Sequence, residues 1–135
     1  MTAQGEAILA YLDSAITARE ELAQSLPAGP WTARPDDDVV VAADLISVAE
    51  AFALSSRQTR AVQAHIALHD PKSVLRRCAA DRKIVDLYTA TKRLAEHDDD
   101  PNVIDLLTAA RQNLRALESV VQSLAEGYGW TEGDR

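Results

Sequence analysis

Between residues 103 and 128 apolar side chains recur at spacings of four, three, four, three, four, three and four: Val103, Leu107, Ala110, Leu114, Leu117, Val121, Leu124 and Tyr128. Only a helix gathers positions so spaced into one stripe, and the alternation is that of a coiled-coil seam. A stripe this long needs a long apolar partner to cover it. The preceding stretch offers one, with Val74, Cys78, Val85, Tyr88 and Ala95 on one side, flanked by Ile84, Leu87 and Leu94. Both stretches open on Asp-Pro, at Asp70-Pro71 and Asp100-Pro101. Aspartate accepts hydrogen bonds from the free N–H groups of a first turn, and proline at the first helical position sacrifices nothing. The short Asp-rich turn between them predicts a long antiparallel helical hairpin, about 71–97 and 101–127. Ile104, Leu106 and Val120 widen the stripe, so a further partner is needed. Either an N-terminal helix or a second protomer can supply it.

The rest of the chain reads less regularly. Residues 3–26 form an N-terminal helix with Leu9, Leu12, Ile16, Ala23 and Leu26 inward, ended by Pro27 and Gly29-Pro30. Residues 27–38 hold three prolines and Asp36-Asp37-Asp38, and read as a loop that Trp31 pins to the core. Residues 39–54 admit two readings. The run Val39-Val40-Val41 and the alternation of Ile46, Val48, Phe52 and Leu54 suit a small β-hairpin. Leu45, Val48, Ala49, Phe52 and Ala53 also fit one face of a helix. Ser55 or Ser56 caps a short helix, 56–69, with Val62 and Ile66 inward. The fold class is therefore α+β, mostly α. Residues 1–128 form a single domain and 129–135 a polar C-terminal tail, a size ordinary for one core.

Charge limits the partners. The 135 residues carry a formal net charge of −7, which disfavours nonspecific binding to nucleic acid or to an anionic membrane. No apolar run approaches the roughly 18 residues of a membrane span. No signal-peptide pattern opens the chain, and one cysteine, Cys78, allows no internal disulfide, so the cytoplasm is the expected compartment.

Three constellations stand out as candidates. His65 and His69 lie four apart on one helical face, with Asp70 beside them. This is the spacing of paired metal ligands, but no further His or Cys motif completes a site, so no metal and no cofactor is expected. Their plainer role is at a helix end, where partial positive charge is favoured. Next, residues 57–83 carry seven cations against two acids, Asp70 and Asp81, within an acidic chain. Arg57, Arg60 and Arg76 could there hold a phosphate or nucleotide, with His65, His69, Asp70 and Trp31 as neighbours. Finally, Asp81 interrupts the apolar side of its helix. That position calls for an arginine partner or marks a helical interface, and in the second case Asp81→Leu should raise stability.

The pieces Gly29-Pro30-Trp31, Val39-Val40-Val41, Gln63-Ala64-His65-Ile66-Ala67-Leu68-His69-Asp70-Pro71, Val74-Leu75-Arg76 and Arg82-Lys83-Ile84-Val85 carry a resemblance. The chain resembles a family of small proteins from actinobacteria and their phages, classed as a domain of unknown function. The His-Ile-Ala-x-His-Asp-Pro piece is its most specific part. The resemblance implies an α+β build with a small hairpin, and it brings no activity or catalytic residue.

No nucleophile elbow, P-loop or paired catalytic carboxylates occur, so the chain reads as non-enzymatic. The expectation is a cytoplasmic interaction protein, a homodimer joined through Val103, Leu107, Leu114, Leu117, Val121 and Leu124. It would bind a host protein, as in phage or mobile-element regulation or conflict. The competing expectation is a binder of a small anionic ligand, or a minor enzyme, built on His65, His69, Arg57, Arg60 and Arg76.

Overall fold

A computed structural model describes residues 3–50, 55–96 and 104–131. In chain order these form α1 (Ala3–Ser25), β1 (Thr32–Arg34), a 3-10 turn (Pro35–Asp37), β2 (Val39–Val41), β3 (Ser47–Glu50), α2 (Ser56–Leu68), α3 (Pro71–Ala95) and α4 (Ile104–Gly127). The α+β, mostly helical build expected from the sequence is what forms, and α3 and α4 pack closely. The expected turn at 97–101 lies outside the described residues. So do Phe52 and Leu54 of the second expected strand.

The chain divides into two compact units. A helical unit takes Met1–Thr17 and Ala79–Arg135; a mixed unit takes Ala18–Cys78. Helices α1 and α3 each run through both.

In the helical unit, the first part of α1, most of α3 and all of α4 share one core. Its buried members are Ile8, Leu12, Tyr88, Val121, Ala125 and Trp130, with Ile84, Leu114, Leu117 and Leu124 packed around them. Helix α1 leaves the widening residues Leu106 and Val120 exposed, but joins α3 in covering the stripe of α4, through Ile8 and Leu12. Burying such side chains contributes about 2 kcal/mol each. The core does not end at residue 128. After α4, Gly129 turns at φ +103°, a left-handed conformation suited to glycine beyond a helix end. That turn returns Trp130 to the core at 6% exposure, its ring edge-on to Tyr11 at 5.3 Å. The tail thus contains a core residue, which a lone tryptophan amid Gly, Thr, Glu and Asp did not signal.

In the mixed unit, a three-stranded antiparallel sheet has the order β1-β2-β3. The loop expected over 27–38 contains its first strand. Pro30 and Pro35 bracket β1, and a strand of three residues carries no periodicity to read. The hairpin reading of 39–54 holds for its described part, with Val40 opposite Ala49 and an irregularity between Val40 and Val41. Helix α2 packs on β1, β2 and the 3-10 turn. Its cap is Ser55, whose Oγ accepts from the N–H of Gln58 at 3.2 Å. Its buried side chains are Thr59 and Gln63, whereas Val62 is 42% exposed. Of the expected inner face, Ile66 is half-buried and Val62 is turned outward, because the fully buried positions of this helix are polar and hydrophobic periodicity does not see them.

Candidate functional site

In the mixed unit two of the candidate residues, Trp31 and Asp70, meet at one carboxylate. Asp70 precedes α3 and is 6% exposed. Its Oδ1 accepts from the N–H of Ser73 at 2.7 Å, the bond expected of a helix cap. Its Oδ2 accepts from the N–H of Trp31 at 3.3 Å. Trp31 is half-buried, and its indole N–H donates to the carbonyl of Pro27 at 2.9 Å. Gly29, before the cis peptide to Pro30, passes so close that a Cβ there would lie 2.7 Å from Asp70 Oδ2. The Gly-Pro-Trp and His-Asp-Pro pieces, forty residues apart in sequence, are therefore one contact in space. Burial of Asp70 acts to raise its pKa. The hydrogen bonds from Ser73 and Trp31 and the charge of Arg76 outweigh it, and the carboxyl sits below its usual range.

These bonds give Asp70 a fastening role. The rings of His65 and His69 lie 4.5 Å apart, tilted by 47°. His69 Nδ1 is 2.8 Å from the carbonyl oxygen of His65, so it carries the proton and donates. Among the described residues, no group of three or more His, Cys, Asp or Glu is placed to hold a metal ion. Arg57, Arg60 and Arg76 are exposed, and Arg76 reaches Ser73 Oγ at 3.5 Å.

The stripe of α4 in the helical unit is largely consumed by the chain itself. Leu107 is 0% and Val121 3% exposed, while Leu114, Leu117 and Leu124 are half-buried. Val103 lies outside the described residues. Solvent instead meets Leu106 (53%) and Val120 (46%) of α4, and Leu87 (56%) and Leu94 (36%) of α3. Asp81 has a partner other than the arginine its position suggested. Tyr128 donates its hydroxyl to Asp81 Oδ2 at 2.5 Å, and Tyr11 donates to the carbonyl of Tyr128 at 2.9 Å. Asp81 and Tyr128 lie on different elements, so no spacing in the sequence links them.

The same unit holds a cleft of about 570 Å³, lined by Gln4 and Ile8 of α1, Tyr88 of α3, and Glu118, Val121 and Gln122 of α4. Its lining comes from three helices at unrelated sequence distances, and nothing in the residue pattern marked it. A second hollow of about 420 Å³ lies along α4 at Thr108, Arg111, Gln112 and Arg115.

The model of a family of unknown function, DUF6221, matches residues 5–129. The chain belongs to this family. The match takes in both units of the DUF6221 chain, with the Gly29–Asp70 contact and nearly all of the cleft lining. No curated protein and no solved structure matches it. The family brings no assigned chemistry, so any function must be argued from the DUF6221 chain's own surfaces. Among its described residues no helix is long and apolar enough to cross a membrane.

Proposed function

We propose that this protein is a small cytoplasmic interaction module that pairs with a second copy through the outer sides of α3 and α4 and engages a protein partner, rather than an enzyme. The observation that carries the reading is a second apolar line on each helix. Leu87 and Leu94 are one heptad apart on α3; Leu106 and Val120 are two heptads apart on α4, with Asn113 midway. All four apolar side chains are solvent-exposed in the single chain. Heptad spacing suits a helical partner, and a polar Asn within such a line is a device that fixes register. Exposed aliphatics repeated at this spacing on two helices are the feature that supports an association surface. In the setting the sequence resemblance implies, the protein partner belongs to a bacterial host.

Light scattering across a micromolar concentration series tests the pairing. A dimer is expected, and Leu87→Glu with Val120→Glu is expected to leave a folded monomer, since both positions are exposed. A wild-type chain that stays monomeric throughout the series overturns the self-association.

A further inference from the structure

The cleft between α1, α3 and α4 has the size of a small-molecule site, which ordinarily falls between about 300 and 1,000 Å³. Its floor is apolar and well packed: Ile8, Tyr88 and Val121 are 7%, 3% and 3% exposed. Its rim is polar and rich in acceptors. Glu118 contributes the one charge of the described lining, and it is negative. Gln122 directs its amide nitrogen to Glu126 at 3.2 Å, which leaves its carbonyl oxygen as the part available to a ligand. Gln4 offers a second amide oxygen. Lys92, one turn beyond Tyr88, lies 3.6 Å from Glu96, so the nearest cation on α3 has a carboxylate of its own.

This lining discriminates by charge. An anionic ligand would meet a carboxylate and no opposing cation, and would be repelled. A neutral alcohol would use only part of the rim. An ammonium group presents several donors and a positive charge to a carboxylate flanked by amide oxygens, and a charge-assisted bond of this kind is about twice as strong as a neutral one. We propose that the cleft binds a small amine, its ammonium group held by Glu118 with the amide oxygens of Gln4 and Gln122, its apolar body laid on Ile8, Val121 and the Tyr88 ring. Burial, reinforced by the charges of Glu118 and Glu96, holds the Tyr88 hydroxyl above its usual pKa, so it stays protonated and adds no second charge at the floor. The site is independent of the pairing surface proposed above and stands or falls separately.

Three probes with one body and different heads test it: hexylamine, hexanol and hexanoate, each titrated into isotope-labelled full-length protein at fixed pH and salt. Hexylamine is expected to move the resonances of Ile8, Val121 and Gln122 and to bind about tenfold more tightly than hexanol, with hexanoate weaker still. Glu118→Gln removes the charge at an exposed position and is expected to weaken hexylamine about tenfold while leaving hexanol unchanged. Three results overturn the proposal. These are no movement of any cleft resonance by hexylamine at saturating concentration; hexanoate binding as tight as that of hexylamine, which would give the site to the first-turn N–H groups of α1; and a Glu118→Gln protein whose affinity for hexylamine is intact.

Discussion

Asp70 offers the sharpest test of how the mixed unit is held together. In Asp70→Ala the N–H of Ser73 loses its capping acceptor, a change that costs about 1 kcal/mol. The N–H of Trp31 also loses its acceptor, in a half-buried position, for about 1 kcal/mol more. The summed loss is about 2 kcal/mol, or a fall in Tm of about 7 °C for a chain of this length. Asp70→Asn separates the two parts. Asparagine caps a helix nearly as well as aspartate, so the bond to Ser73 survives. Its amide nitrogen then faces the Trp31 N–H, donor against donor, and about half of the loss is expected. Urea unfolding at neutral pH measures both. The pH dependence follows from the lowered carboxyl. A group whose folded pKa lies below its unfolded value contributes stability in full above the unfolded value, near 3.8, and loses it as pH falls through the folded pKa. The gap between wild type and Asp70→Asn should therefore be widest above about pH 5 and close in stronger acid. An Asp70→Ala protein within about 0.5 kcal/mol of wild type at neutral pH would refute the reasoning.

Three further substitutions probe contacts of the same kind. Gly29→Ala places a methyl 2.7 Å from Asp70 Oδ2 and should destabilise by about 2 kcal/mol, with the penalty reduced in the Gly29→Ala, Asp70→Ala double variant; chemical unfolding of all three supplies the cycle. Tyr128→Phe removes the donor to Asp81 and should cost about 1 kcal/mol, and Asp81→Leu should destabilise rather than stabilise, because it removes the carboxylate that accepts from the Tyr128 hydroxyl; calorimetry of each reads the sign.

The sequence revealed what local physics governs and concealed what distance governs. The Asp-Pro start of α3, a serine cap at 55 or 56 and the helical stripe of α4 each depend on residues within a turn or two, and each was legible, although the stripe packs within the chain rather than between two copies. Val39-Val40-Val41 declared a strand because β-branched residues suit the pleated backbone. Its partner β1 did not, because Thr32-Ala33-Arg34 owes its conformation to pairing with β2 rather than to its own preference. The inner line of α2 was hidden by its polarity. Asp70 was legible as a helix cap, yet its contact with Trp31 and the reason for Gly29 were not. Its requirement comes from a side chain forty residues away. The cleft is the extreme case, since its chemistry exists only once three helices have packed.

The division of the chain has a consequence for how it must assemble. The helical unit is built from the two ends of the polypeptide, with residues 18–78 intervening. Bringing Ile8 and Leu12 against Tyr88 and Val121 closes a loop of about 75 residues or more, an entropic cost of about 4 kcal/mol if that loop were a free coil. Early formation of the sheet and α2 would shorten the effective loop and lower that cost. Weakening the Gly29–Asp70 contact should then slow closure of a core that neither residue belongs to.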